Sequence, residues 1–111
     1  MPLRKTGMAL RISRAADRTS LRIAGDIDEF SYDELVAALA GFAGGRDDIH
    51  IDMAGVESCD LAGLRALVLL AADSRQDGAG GRRVILHGLP AHLKSVLEIL
   101  GWDTTAGLSI E

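Results

Sequence analysis

The side chains of this chain that could support nucleophilic chemistry are one thiol and three imidazoles. Cys59 could act as a nucleophile with His50, His87 or His92 as the base that removes its proton. The sequence supplies no third group to orient such a base, and it carries no local cysteine-protease signature. We therefore expect Cys59 to be a small buried thiol, and we expect no catalytic residue and no enzymatic activity.

Metal and phosphate binding are the other chemistries that the residue types could suggest. His50 falls on the polar phase of a predicted strand and His92 lies in the first turn of a predicted helix, so no metal-ligand spacing emerges. Gly78-Ala79-Gly80-Gly81 follows a helix and precedes a strand, the reverse of a phosphate-binding loop, and it lacks the Lys-Ser/Thr ending. We expect this segment to be a linker, and we expect no metal and no cofactor.

Composition restricts the class of protein. The chain has 111 residues, of which 48% are hydrophobic and 25% charged, enough for one core without disulfides. The net charge of −4 argues against a nucleic-acid surface. The single cysteine cannot form an internal disulfide, and no segment approaches the ~20 apolar residues of a membrane span or resembles a signal peptide. We expect a cytoplasmic protein without direct membrane insertion.

The elements that position these residues fit one domain, 8–111, after a flexible lead-in, 1–7. Alternating polar and apolar residues predict a hairpin of two strands, at 8–13 and 20–25, and a third strand at 49–53. We also expect a short buried strand at 82–87 and a short last strand at 108–110. Apolar residues three and four apart predict three helices, at 31–44, 61–76 and 90–100. We expect a capping box of Ser31 and Glu34, an N-cap at Asp60, and Pro90 in the first turn of the third helix. This order predicts an α/β fold with a mixed sheet of four to five strands.

Two motifs resemble the signature segments of STAS domains, in particular those of anti-sigma factor antagonists. The segment 60–64, Asp-Leu-Ala-Gly-Leu, follows the strand Ile49–Met53 and opens an apolar helix. Gly25-Asp26-Ile27-Asp28 is similar to the second signature, which precedes the first helix. The likeness covers residues 8–110, and it implies a STAS-like fold with three main helices and the order ββαβαβα, with or without a last strand.

The resemblance includes one departure. In the family the pattern is Asp-Ser-x-Gly-Leu, and the serine is phosphorylated by a partner kinase that is also an anti-sigma factor. Asp60 and Gly63 match this pattern, but Leu61 occupies the place of the serine and has no hydroxyl to accept a phosphate. Ser58, three residues earlier, is a candidate substitute acceptor, or else an ordinary loop serine.

The resemblance also places a partner-binding surface around the two signature segments. Its expected members are Asp26, Asp28, Ser58, Asp60, Leu61, Ala62, Gly63 and Arg65. Several of them have a structural alternative: Leu61 can fold into the core, Asp26 and Asp28 can form turns, and Gly63 can serve a close backbone approach. Arg65 can pair with a partner or simply be solvated.

The function implied by the resemblance is non-enzymatic regulation of bacterial transcription. The expected partner is an anti-sigma factor or a histidine-kinase-like ATPase, bound without phosphorylation at the usual position. Two alternatives are a subunit or accessory of a membrane transport system, and a sensor of a nucleotide or lipid lodged at the loop end of the sheet. Neither the partner's identity nor the oligomeric state follows from the residues.

Overall fold

Five strands and three helices make up the part of the chain that the computed structural model describes, residues 9–16, 19–42, 45–76 and 82–111. The strands are β1 (Arg11–Arg14), β2 (Ser20–Ile27), β3 (Ile49–Cys59), β4 (Val84–His87) and β5 (Leu108–Ile110). The helices are α1 (Tyr32–Ala40), α2 (Leu61–Gln76) and α3 (Ala91–Leu100), and a 3₁₀ turn, Trp102–Thr104, precedes β5. The predicted lead-in at 1–7 and the linker at 78–81 lie outside the described residues.

The strands form one sheet in chain order, β1-β2-β3-β4-β5. β1 and β2 are antiparallel, as predicted for a hairpin, and each later strand is parallel to the one before it. Each parallel connection leads to the next strand in the same direction along the sheet. Because such crossovers are right-handed, α1, α2 and α3 lie on the same face of the sheet. The predicted mixed α/β fold is confirmed. None of the helices within the described ranges is long and apolar enough to cross a membrane.

The core lies between this helical layer and the sheet. Alternate strand residues are buried with side chains from all three helices, chiefly Leu21, Ile23, Ile27, Ile49, Ile51, Met53, Val84, Leu86, Leu35, Leu64, Leu67, Leu93 and Leu97. Each such side chain stabilises the fold by about 1.5–3 kcal/mol relative to exposure. The opposite face, which we call the open face, carries the intervening polar residues Ser20, Arg22, His50, Asp52 and His87.

Two strands are longer than the sequence pattern predicts. β2 continues through Ile27 instead of ending at Gly25, and residues 54–59, predicted to be a loop, continue β3. The two extensions pair with each other, because Asp26 aligns with Ser58 and Ile27 with Cys59. Register shifts within this pairing break the period-two alternation, which is why the pattern ends early.

The predictions for helix ends are corrected at three places. Ser31 is the N-cap of α1 but makes no side-chain capping bond, so the capping-box prediction is wrong. Its hydroxyl instead accepts from the Asp28 amide at 3.0 Å, within the turn before the helix. α1 ends at Ala40 rather than at residue 44, and Arg14 donates at 2.8 Å to the carbonyl oxygen of Ala38 in its last turn. Pro90 precedes α3 as its N-cap instead of lying in its first turn.

Candidate partner-binding site

β2 and β3 end side by side at the point where α2 begins. The backbone amide of Asp60 donates to the carbonyl oxygen of Ile27 at 2.9 Å, which extends the pairing of Ile27 with Cys59. The two segments that resemble family signatures, 25–28 and 60–64, therefore meet at one end of the sheet. The turn before α1 lies at this same end, because it follows directly on Ile27.

Asp60 fixes the start of α2. Its carboxylate oxygen Oδ1 accepts from the amide of Gly63 at 2.9 Å, and its carbonyl oxygen accepts from the amide of Leu64 at 3.0 Å. These bonds satisfy helix-start donors that would otherwise lack a partner. The predicted N-cap at Asp60 is confirmed.

Gly63 lies where the first turn of α2 packs against the end of β2. A β-carbon at this position would collide with the Cγ2 methyl of Ile27, and it would lie 3.2 Å from the Sγ atom of Cys59. The glycine is buried. Its role in the structure is therefore the close backbone approach, one of the two roles that the sequence left open. This close packing places the start of the helix directly against the sheet.

The outer side of the same turn is exposed and partly apolar. Leu61, at the first position of α2, is 57% exposed, and both Ala62 and Arg65 are exposed beside it. Phe30, in the turn before α1, is 70% exposed. We call this set, with Asp28, the docking surface: Asp28, Phe30, Leu61, Ala62 and Arg65. Leu61 does not fold into the core.

Asp26 and Ser58 form a link between the two strands below this surface. The Ser58 hydroxyl donates to Oδ1 of Asp26 at 2.9 Å. Asp26 is only 6% exposed and Ser58 is half-buried. Four residues that the sequence placed in the surface are left out of it. Asp26 and Gly63 are buried, the Ser58 hydroxyl is bonded to Asp26, and the Asp60 carboxylate caps α2.

The comparison with known proteins agrees with this geometry. A family model described as Mlab, STAS domain, matches residues 10–110. The chain belongs to the STAS domain family. This match covers both signature segments and every described element from β1 to β5, so the resemblance drawn from the sequence is confirmed.

Two solved structures are similar to this STAS domain. The crystal structure of an antisigma-factor antagonist STAS domain from Rhodobacter sphaeroides matches with a TM-score of 0.50 and 18% identity, over 78% of this chain and 91% of that one. An uncharacterised protein with a SpoIIAA-like fold from Shewanella loihica matches with a TM-score of 0.48 and 18% identity, over 100% of this chain and 90% of that one. At this identity the first match shows the fold.

Asp28 forms the turn that presents Phe30. Its carboxylate Oδ1 accepts from the amides of Phe30 at 3.0 Å and Ser31 at 3.2 Å. Aspartate favours such turns because its side chain bonds to its own backbone two residues on. The sequence left two roles open for Asp28, turn formation and partner contact. In this STAS domain its carboxylate forms the turn.

Cys59 and the histidines do not come together as nucleophile and base. Burial, and to a lesser extent the charge of Asp60, raise the pKa of the Cys59 thiol from 9.0 to about 12. The thiol lies 3.4 Å from the carbonyl oxygen of Asp60, whereas His50 and His87 pair with each other on the open face. Within the described ranges of this STAS domain, no three His, Cys, Asp or Glu residues are arranged to hold a metal ion.

Phe30 is the member of the docking surface that the sequence interpretation missed. Aromatic residues make up 4% of the chain, so a phenylalanine in the polar segment Asp28-Glu29-Phe30-Ser31 is a signal that could have identified it. In this STAS domain Phe30 stays exposed, as a partner contact would require.

Proposed function

We propose that this STAS domain is a non-enzymatic regulatory module of bacterial transcription, which binds an anti-sigma factor or a histidine-kinase-like ATPase in the cytoplasm. The observation that carries the proposal is the exposure of Leu61, 57%, at the start of a helix positioned by Asp60 and Gly63. A start positioned in this way is pre-organised for binding, since few side chains must be ordered when a partner arrives.

Apolar contact supplies the affinity in this proposal. Leu61 and Phe30 are large exposed apolar side chains, and large apolar anchors commonly dominate the energy of protein interfaces. Burying each beneath a partner contributes about 1.5–3 kcal/mol before the cost of association. Arg65, exposed one turn after Leu61, supplies a charge for the polar rim that sets orientation more than affinity.

We further propose that phosphorylation does not control binding at this junction. Leu61 has no hydroxyl, and the hydroxyl of Ser58 is engaged with the buried carboxylate of Asp26. A phosphate on Ser58 would place about −1.5 to −2 charges beside that carboxylate. Repulsion between these groups, in a site with little water to screen it, disfavours Ser58 as a substitute acceptor.

The test is binding to a panel of purified anti-sigma factors and histidine-kinase-like ATPases, with and without ATP. Binding is measured by calorimetry and modification by intact mass. We expect a stable complex with one member of the panel and no added phosphate. Leu61→Asp should weaken that complex at least about tenfold, since it replaces an apolar anchor with a charge that needs water.

The matched control is Ile99→Asp, which makes the same change at a residue of α3 that is 82% exposed and outside the docking surface. It should leave the affinity unchanged. The proposal is wrong if no member of the panel binds, or if the two variants weaken binding equally. Nucleotide-binding subunits of membrane transport systems belong in the same panel, because binding to one of them alone would favour the transport alternative instead.

A further inference from the structure

Large apolar side chains are exposed along the outer surface of α1 and α2. Six large apolar residues are exposed in the described ranges, and four of them lie on these two helices or on the turn before α1. Phe30 and Leu61 belong to the docking surface. Val36 and Leu69 lie further along the helices and are 40% and 43% exposed. The exposed apolar surface therefore extends beyond the docking surface.

Val36 faces the groove between α1 and α2. The two helices follow parallel strands, so they run in the same direction, and they pack against each other. Arg14 of β1 donates to the carbonyl oxygen of Ala38, so the Ala38 side of α1 faces β1. Residues two apart lie on nearly opposite sides of a helix. Val36 is therefore on the side toward α2, and the exposed Ala40 follows it one turn later.

α2 contributes the other wall of the groove. Gly63 lies against Ile27 of β2, so this side of α2 faces the strand that leads into α1. Ala66, three residues later, lies on the same side and is half-buried. Ala62, Ala66 and Leu69 recur at four and three residues, the spacing of one helical stripe. We call this surface the α1–α2 groove: Val36, Ala40, Ala62, Ala66 and Leu69.

The dimensions of the α1–α2 groove suit one helix. Leu69 is eight residues after Leu61, which is about 12 Å along α2 at 1.5 Å per residue. About two turns of a second helix cover this distance, with its apolar residues three and four apart on one side. The short side chains of Ala62 and Ala66 let another backbone approach closely between the larger side chains of Val36 and Leu69.

The charges that border the α1–α2 groove are mainly negative. Glu29 and Asp33 are exposed at the start of α1, and Asp73 ends the stripe of α2 four residues after Leu69. Among the described residues that border the groove, Arg65 alone is cationic. Two copies joined through this groove would bring their acids together, in a chain whose net charge is already −4. The charge therefore favours a cationic occupant over a second copy.

We propose that a cationic amphipathic helix of the regulatory partner lies in the α1–α2 groove, with its apolar face on Val36 and Leu69. This inference rests on the function proposed above and names the element of the partner that the STAS domain binds. Lysine or arginine residues beside the apolar face meet Glu29 and Asp33. These charges speed association and select the partner, whereas the apolar contacts supply the affinity.

The test measures, by calorimetry, the affinity of the full chain for the panel member that binds it. Leu69→Lys and Leu69→Glu both replace the apolar contact with a charged side chain that favours helices. Leu69→Lys should weaken the complex at least about tenfold and Leu69→Glu less, since only lysine repels a cationic helix. Leu100→Lys, at a leucine of α3 that is 42% exposed, is the matched control and should leave the affinity unchanged.

Two further measurements locate the occupant. Val36→Thr keeps the shape of the side chain and adds a hydroxyl, so it should fold normally and weaken the complex about threefold. Synthetic peptides that span each helix of the partner are then titrated into the full chain, while NMR follows the methyl groups of Val36 and Leu69. One cationic peptide should shift both sets of signals.

The outcomes separate this inference from the proposed function. If Leu61→Asp weakens the complex but the variants of Leu69 and Val36 do not, the inference is overturned and the proposed function stands. Equal weakening by Leu69→Lys and Leu69→Glu overturns the cationic helix. A dimer of the chain alone that Leu69→Lys dissociates, seen by sedimentation equilibrium, means that a second copy covers the groove and also overturns it. If no member of the panel binds, the proposed function fails, and the inference fails with it.

Discussion

Gly63, in the first turn of α2, lies directly against the Cγ2 methyl of Ile27, the last residue of β2. With the bond from the Asp60 amide to the Ile27 carbonyl, this contact fixes where α2 leaves the sheet. The direction of the first helical turn follows from it, and so does the exposure of Leu61. A residue with no side chain thus determines which residue of the first helical turn is exposed.

Gly63→Ala should destabilise the fold by about 1–3 kcal/mol, the usual cost of overpacking, although alanine is the better helix former. The measurement is the free energy of unfolding in urea. Ile27→Leu provides the internal control, because leucine has no methyl on its β-carbon. In the Ile27→Leu background the alanine should cost clearly less, and an equal cost in both backgrounds would show that the collision is not the cause.

Ser58→Ala should destabilise the fold by about 1–3 kcal/mol, since it removes the donor to the buried carboxylate of Asp26. Ser58→Glu should cost more, because it places a second carboxylate against the first. Ser95→Ala, at an exposed position of α3, is the matched control and should be nearly neutral. Urea unfolding ranks the three, and a neutral Ser58→Glu would reopen Ser58 as a site for phosphate.

Cys59 should resist alkylation in the folded chain. Burial raises the pKa of its thiol to about 12, and the thiolate that reacts is scarce even in mildly alkaline buffer. Iodoacetamide labelling followed by intact mass should show rapid modification only after unfolding in urea. Rapid labelling of the folded chain would mean that the junction between β3 and α2 opens readily.

The same thiol makes stability depend on alkaline pH. Its folded pKa, about 12, is above the unfolded value of 9.0, so its contribution is fully present below pH 9.0 and is lost as the pH rises toward 12. The stability of the wild type relative to Cys59→Ala should therefore fall as the pH is raised above 9.0. All other titrating groups are common to both proteins, and a difference that is constant with pH would contradict the assignment.

The sequence was most informative where its periodicity was regular. α2 has the predicted bounds, Leu61–Gln76, because its apolar residues recur at three and four and Asp60 is placed to cap it. The family resemblance depended on the order and separation of the two signature segments along the chain. A sheet whose five strands follow chain order preserves that order in space. The position of Leu61 at a helix start could be predicted for the same reason.

Tertiary contacts decided the features that the sequence did not predict. Residues 54–59 of β3 lack alternation, and they are a strand because β2 extends beside them through Asp26 and Ile27. Ser31 has the residue type of a cap, but the preceding turn uses its hydroxyl. The burial of Asp26 and the pairing of His50 with His87 join residues far apart in the chain, and no local pattern encodes either.

Leu61→Ser restores the hydroxyl that the family pattern places at the start of α2, on a residue that is already exposed. If the partner is a kinase, as in the family, the variant should gain one phosphate in intact mass. The phosphate adds about −1.5 to −2 charges where the wild type presents an apolar contact, so binding should weaken at least about tenfold. Unmodified Leu61→Ser should differ from the wild type by at most about 0.5 kcal/mol in stability, since surface substitutions rarely do more.

Ala62→Ser is the control for Leu61→Ser, because it places a hydroxyl on the next exposed residue of the same turn. It should gain no phosphate if the kinase recognises position 61 through the turn that Asp60 and Gly63 define. Equal modification of both variants would mean that the kinase reads only an accessible serine. Modification of neither, by a kinase active on its own substrate, would mean that Leu61 does not stand at the phosphoacceptor position.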